Sequence, residues 1–291
     1  MATQRIYNVN IQREHPSSLI YLNHITTTSL KASPLPSKID LREKCPPIQD
    51  QSSLGSCTAN ALAAAFEFAD ETKFTPSRLF IYFNERMLEN SIDTDSGAKI
   101  SDGVRTLQKY GVCPETEWGY DISKFTVKPP KSAYMEALKH KAISVSNIAQ
   151  NSHSMKSVLA SGLVFVVGIA VYESFESEAV AKSGVVPLPN KKTENLLGGH
   201  AVVVVGYDDD LKVWIMRNSW GVDWGQKGYF TLPYQYLLDP DLSSDLWNIA
   251  KIQDSTAGVL ANHIDYIKKI QVEIEKIENL LESSLTKVQG V

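Results

Sequence analysis

The sequence predicts an α+β protein of two lobes, a mostly helical one followed by a mainly antiparallel β one. Three observations predict it. Between Cys57 and Gly111 apolar residues recur at helical spacing. Between Leu163 and Pro233 they gather into Val-, Ile- and aromatic-rich runs bounded by Gly, Asp and Pro. And a chain of 291 residues, 43% of them apolar, is long enough to bury two such units.

Residues 1–34 form a polar N-terminal extension that closes in the turn-rich "KASPLPSK". Residues 35–150 are assigned to the helical lobe. In "CTANALAAAFEFADET" the apolar positions 57, 61, 62, 65, 66 and 69 share one helix face among strong helix formers. "SRLFIYFNERMLEN" follows Pro76, and "SDGVRTLQKYG" ends in Gly111, a plausible C-terminal cap. Residues 151–256 are assigned to the β lobe, with strands in "LVFVVGIAVY", "HAVVVVGYDDD", "KVWIMRNSW" and "GYFTLP". In residues 257–291 apolar side chains at 260, 264, 267, 270, 274, 277, 281, 285 and 288 mark an amphipathic helix of roughly four heptads. That helix is expected either to pack on its own protein or to drive self-association.

Several classes are set aside. The net charge of -4 is interspersed, with none of the basic stripe that nucleic-acid binding requires. No window approaches the ~18 unbroken apolar residues of a membrane span. The start, "MATQRIYNVNIQREHP", lacks the apolar core and small-residue cleavage site of a secretory signal, so an intracellular, cytoplasmic place of work is expected. Cys45, Cys57 and Cys113 are too few and too scattered for a disulfide framework or a zinc site, and no metal or cofactor is expected. Their odd number leaves at least one free thiol.

Cys57 stands after Leu54-Gly55-Ser56 and opens the alanine-rich helix. Small residues there let a substrate backbone approach, and the positive end of the helix dipole favours thiolate, the nucleophilic form. Gln51, six residues upstream, can fold its amide back beside the sulfur and donate to an oxyanion together with the Cys57 N–H. A lone cysteine before an apolar helix is more often a small core residue, and a loop glutamine is usually just solvated. Neither residue decides the matter alone.

The second constellation changes the balance. His200 opens an alternating strand, "DDD" at 208–210 supplies a turn, and the next strand carries Asn218 at its far end. Folding the hairpin about Asp209 or the Asp209–Asp210 bond sets His200 opposite Asn218 or Ser219. Nucleophilic catalysis needs that pairing. An imidazole must take the thiol proton and return it to the leaving amine, and an acceptor on its other nitrogen fixes tautomer and orientation. Trp220 is placed to shelter that bond from water. His15, His24, His140, His153 and His263 have no comparable setting.

At this point the residues resemble the papain and cathepsin family of cysteine peptidases, over roughly Leu35 to Asp254. The resemblance is carried by "LPSKIDLREKCPPIQDQ", "GSC" at 55–57, "KYGVCPETEWGY" at 109–120, "GGH" at 198–200 and "NSWGVDWGQKGYF" at 218–230. Cys57 and His200 stand 143 residues apart, inside the ~130–150 expected after this family's nucleophile. The family implies a helical lobe and an antiparallel, β-barrel-like lobe with the active site in the cleft between them. It implies an ion pair of Cys57 and His200, an oxyanion donor in Gln51 and an orienting residue in Asn218. It further implies substrate contacts at Gly97, Ala98, Ile100, Val167, Gly199 and Trp220, and a peptide or protein as substrate.

Two departures stand out. The cysteine usual three residues before the nucleophile is Leu54, and its usual partner aligns with Asp95, so the family disulfide is absent. The aromatic usual after the nucleophile is Thr58, a change expected to affect the leaving-group side. The pattern is closer to the bacterial and large-DNA-virus branch, which adds packaging in a particle as a second setting. Cys45 and Cys113 are expected to be free thiols. The leading expectation is an endopeptidase, a zymogen if residues 1–34 lie across the cleft. The rivals are an exopeptidase, which needs a loop blocking one cleft end, and a non-catalytic binding protein, which predicts loss of a catalytic group.

Overall fold

The computed structural model describes residues 34–69 and 74–252, together with Tyr7, Val9, Ile274, Lys276 and Ile277. The expected helix of residues 257–291 lies outside the described residues except for the last three of these, which are helical. Architecture follows the α+β expectation, with most helices ahead of the central strands and one antiparallel sheet behind them.

The chain enters through β1 (Lys38–Asp40) and reaches α1 (Cys57–Ala69), α2 (Arg78–Leu88) and α3 (Ile100–Lys109). Every residue of α1 from Cys57 to Phe66 is buried. Its alanines explain how: with small side chains all round, the helix can pack against neighbours on every side. α2 begins at Ser77, whose hydroxyl accepts the Phe80 N–H at 3.1 Å, a cap worth about 1 kcal/mol. α3 ends at Tyr110, and Gly111 takes the left-handed φ of +73° that stops it.

α4 (Lys131–Ala137), β2 (Ala142–Asn147) and α5 (Ser152–Ala160) lead into β3 (Phe165–Tyr172). After α6 (Glu178–Ser183) come the long β4 (Leu196–Asp208), β5 (Val213–Arg217), β6 (Tyr229–Pro233), α7 (Tyr234–Leu238) and β7 (Ser243–Ile252). The seven-stranded sheet runs in the order β2-β7-β3-β4-β5-β6, with β1 paired to the far end of β4. β3 and β4, buried on both faces, form its centre. α1 lies against β4, so the end of the helix that carries Cys57 meets the strand that carries His200.

The β4–β5 hairpin differs from its expected register. Asp208 pairs with Val213, leaving 209–212 as a loop in which Lys212 has a φ of +55°. A β-bulge between Val204 and Gly206 shifts the ladder again, and it ends at Val203–Arg217. The turn is longer than a tight hairpin because Asp208 caps it, its Oδ1 accepting the N–H groups of Asp210 and Leu211, both at 3.1 Å. His200 therefore lies beyond the β4–β5 ladder, and side chains rather than strand pairing join it to Asn218. Cys45, Cys57 and Cys113 are all free thiols. Among the described residues no helix is long and apolar enough to cross a membrane.

Candidate active site

Cys57 is the first residue of α1 and has no exposed surface. Burial pushes its thiol up to about 12, opposed by the backbone N–H of Ala201, the residue after His200, which donates toward the sulfur. That contact sets the sulfur beside the histidine's strand. Burial thus disfavours the thiolate at this position.

The loop before it is held from three sides. Asp95 stands in for the missing disulfide: its carboxylate accepts the Gly55 N–H at 3.0 and 3.1 Å and the Tyr82 hydroxyl. The Tyr82 oxygen in turn accepts the Gly97 N–H at 3.1 Å, tying the nucleophile loop to the expected substrate loop. On another side, Asn60 Nδ2 donates to Ser56 Oγ, which bonds to Tyr120, whose hydroxyl donates to the Gln51 carbonyl. Arg78 lies over the Tyr120 ring at 3.9 Å and donates to the Asp50 carbonyl. The third side is Gln51 itself. Its backbone N–H donates to the Ser219 carbonyl at 2.9 Å, its Oε1 accepts from Ser219 Oγ at 2.6 Å, and its Nε2 donates to the Leu54 carbonyl at 3.1 Å. The amide is thereby fixed in orientation with one N–H still to give.

His200 Nε2 lies 2.8 Å from Asn218 Oδ1. Asn218 Oδ1 also accepts the Ser219 N–H at 2.9 Å, which settles which way the amide points and makes Nε2 of His200 the donor. Nδ1 is left for the thiol. The Trp220 ring stacks on His200 at 4.7 Å and 24°, and Phe175 and Trp224 pack edge-on against Trp220. The histidine–asparagine bond is buried under this aromatic cover, as expected from the sequence.

Of the expected substrate contacts, Gly97 and Ala98 precede α3, and Ile100 opens it, buried. A Cβ built on Gly168 would lie 3.6 Å from Ile100 Cδ1 and 3.7 Å from Val9. Because side chains alternate along β3, Val167 faces the other side of the sheet, paired with Val202. That is the face of His200, which pairs with Ile169 two residues further along β3. The Thr58 hydroxyl is buried and donates to Glu85 at 2.8 Å. Sequence reasoning missed Ser219, Asp95, Tyr82 and Tyr120 as supports of the site. Ser219 and Tyr120 sit inside quoted motifs, while Asp95 was visible only as a departure.

Two residues of the N-terminal segment lie in this site. The Val9 N–H donates to the Gly199 carbonyl at 3.2 Å, and Val9 is buried. Tyr7 meets the His200 and Trp220 rings edge-on at 6.3 and 6.1 Å. The approach is close enough to demand glycine beneath it: a Cβ on Gly198 would stand 2.2 Å from the Tyr7 carbonyl oxygen, and one on Gly199 2.4 Å from that of Val9.

Residues 35–237 match the family described as papain family cysteine protease. An uncharacterised peptidase C1-like protein of Acanthamoeba polyphaga mimivirus is 49% identical over 218 residues, which are 70% of this chain and 70% of that protein. A cathepsin B-like protein of Giardia intestinalis is 29% identical over 70% of this chain and 71% of its own. Among solved structures, xylellain, a cysteine protease from Xylella fastidiosa, superposes with a TM-score of 0.69 at 42% identity, covering 75% of this chain and 87% of that one.

Proposed function

Because the chain belongs to the papain family of cysteine proteases, we propose that Cys57 and His200 hydrolyse internal peptide bonds of a peptide or protein substrate, and that the N-terminal segment restrains them. The observation that carries the chemistry is the His200–Asn218 bond at 2.8 Å beneath the stacked Trp220 ring. Asn218 holds the imidazole with Nε2 as donor, which leaves Nδ1 as the base that takes the thiol proton. The Cys57 thiolate attacks the scissile carbonyl carbon. The developing oxyanion receives the remaining N–H of Gln51 and the Cys57 backbone N–H. His200 then protonates the leaving amine, which departs and leaves a thioester; water, deprotonated by His200, hydrolyses it and restores the thiol.

The restraint is supported by where Tyr7 and Val9 sit. A peptide substrate would use the backbone of Gly199 and the ring face of Trp220, and both are taken by the chain's own residues. Removing water from Cys57 also disfavours its thiolate. Lifting the segment would lower the thiol's pKa and free the cleft together. The test is cleavage of a fluorogenic peptide by the full chain, by a chain lacking residues 1–34, and by full-length Tyr7→Asp/Val9→Asp. Both altered chains should cleave at least about ten times faster than the full chain. Equal rates in all three would refute the restraint, and activity surviving in Cys57→Ser would refute the chemistry.

A further inference from the structure

Arg78 is the first residue of α2 and is almost wholly buried. Its position is unfavourable twice over. A cation at a helix N-terminus opposes the helix dipole, and a buried guanidinium must be paired to offset its lost hydration. Local structure gives no reason for an arginine there, so the reason lies in what it touches. Its Nε donates to Glu115 Oε1 at 2.7 Å and its Nη2 to Glu115 Oε2 at 3.3 Å, which balances the charge. The rest of the guanidinium meets the loop before the nucleophile. Nη1 donates to the Asp50 carbonyl and to Asn60 Oδ1, both at 3.1 Å, and Cζ stands 3.9 Å from the centre of the Tyr120 ring.

Each of these three contacts leads to an oxyanion donor. Asn60 is the first route. Its Oδ1 accepts from a group that can only donate, which fixes the amide. Its Nδ2 then donates to the Ser56 carbonyl at 2.9 Å and to Ser56 Oγ at 3.1 Å. The Ser56 carbonyl and the Cys57 N–H belong to one planar peptide unit, so holding the first aims the second. Tyr120 and Asp50 are the second route. The Tyr120 hydroxyl donates to the Gln51 carbonyl at 2.9 Å, and the Asp50 carbonyl shares its peptide unit with the Gln51 N–H. That N–H in turn donates to the Ser219 carbonyl at 2.9 Å. Gln51 is therefore held by Ser219, from the segment after β5, and by Arg78, from α2.

We propose that Arg78 is a positioning residue that aligns both oxyanion donors, the Gln51 amide and the Cys57 N–H, without touching substrate or sulfur. The proposal rests on the reading of Cys57 as nucleophile with these two groups as its oxyanion donors. The charge of Arg78 is paired with Glu115, so its loss acts on the geometry of the hole and not on the ionisation of the thiol. Lysine cannot replace it. An ammonium can meet Glu115 but lacks the planar fork that reaches Asp50 and Asn60 together while lying over Tyr120.

The test uses the full-length chain, as it stands and carrying Tyr7→Asp/Val9→Asp to open the cleft, with three readouts. The first is kcat and KM on a fluorogenic peptide. The second is inhibition by a peptide aldehyde, whose adduct places an oxyanion in the hole. The third is Cys57 alkylation by iodoacetamide, which needs the thiolate but no oxyanion hole. Arg78→Lys should lower kcat about 30-fold with KM within about twofold, and weaken the aldehyde by a similar factor. Alkylation should stay within about twofold of the parent. If Arg78→Lys does not fold, Tyr120→Phe carries the comparison. It keeps the ring, drops the hydroxyl, and should show the same pattern with about a tenfold loss in kcat. Arg86→Lys controls for loss of any buried arginine from α2. Its guanidinium donates instead to the carbonyls of Tyr82, Ile92, Thr94 and Phe125. Its kcat should stay within about threefold of the parent. An unchanged kcat in Arg78→Lys, alkylation falling as far as kcat, or an equal loss in Arg86→Lys overturns the proposal. A parent chain that is alkylated at Cys57 but neither cleaves peptide nor binds the aldehyde refutes the peptidase reading itself, and the proposal with it.

Discussion

The Gln51 side chain is held by two polar contacts, one from Ser219 Oγ and one to the Leu54 carbonyl. Ser219 Oγ holds its amide at 2.6 Å, so loss of either residue should act on the oxyanion rather than on substrate binding. Gln51→Ala is expected to lower kcat by about 100-fold with KM little changed, as removal of one oxyanion donor does elsewhere. Ser219→Ala should lower kcat by a smaller factor, about tenfold, because the amide is loosened rather than removed. Steady-state kinetics on the chain freed of its N-terminal segment would check both, and a rise in KM alone would contradict the assignment. Glu85 makes a second residue-scale prediction, on stability. Unfolded, it ionises near 4.5; folded, it keeps its proton to about 8, so stability is greatest below pH 4.5 and falls as pH rises through 8. That slope amounts to about 5 kcal/mol at most. Glu85→Gln should therefore raise Tm at pH 8 but not at pH 4.5, and an equal change at both would contradict a neutral buried acid. Cys57, Gln51, His200 and Asn218 were legible in the sequence because each sits in a local motif whose residue types the chemistry requires. Glu85 was not. It lies mid-helix in α2, and only the packing of α1 and α3 reveals that it is buried beside Thr58.

Among the elements, the loops carry the cost of the missing disulfide. Asp95 does with hydrogen bonds what a covalent link would do, holding Gly55 before the nucleophile and, through Tyr82, Gly97 of the substrate loop. Asp95→Ala leaves the Gly55 N–H and the Tyr82 hydroxyl without an acceptor. It should cost about 1.5–3 kcal/mol, or roughly 4–10 °C in Tm, with KM rising as the substrate loop loosens. Thermal unfolding and steady-state kinetics would read the two effects, and an unchanged Tm would show the loops to be held by other contacts. α1, α2, α3 and the strands β3 to β6 were legible because their apolar spacing is strong. β2 and β7 were not: β2 is only partly buried, and β7 is interrupted by the polar Ser243, Ser244, Asp245 and Asn248. The hairpin register failed for a different reason. Asp208 as a cap and the bulge at Val204–Gly206 each shift the count, and neither has a period to read. His200 and Asn218 meet all the same, because their side chains bridge the gap that the strands leave.

Across the whole molecule, the two lobes and the N-terminal segment form one arrangement. α1 delivers Cys57 to the sheet, β4 delivers His200, and the segment after β5 delivers Asn218, Ser219 and Trp220, with Tyr7 and Val9 laid over the result. The fold class was legible from length and pattern, and the place of residues 1–34 was legible only as a question. On the proposed reading, Tyr7 and Val9 cover the cleft and leave the catalytic groups in place beneath them. The central claim is that Cys57 is a nucleophile waiting for access. It is tested most directly by treating the full chain, and the chain after removal of residues 1–34, with an epoxide-type active-site inhibitor and mapping the adduct by mass spectrometry. The account predicts slow labelling of the full chain and rapid, stoichiometric labelling at Cys57 alone once the segment is gone. Labelling at Cys45 or Cys113 instead, or no labelling after removal, would contradict it.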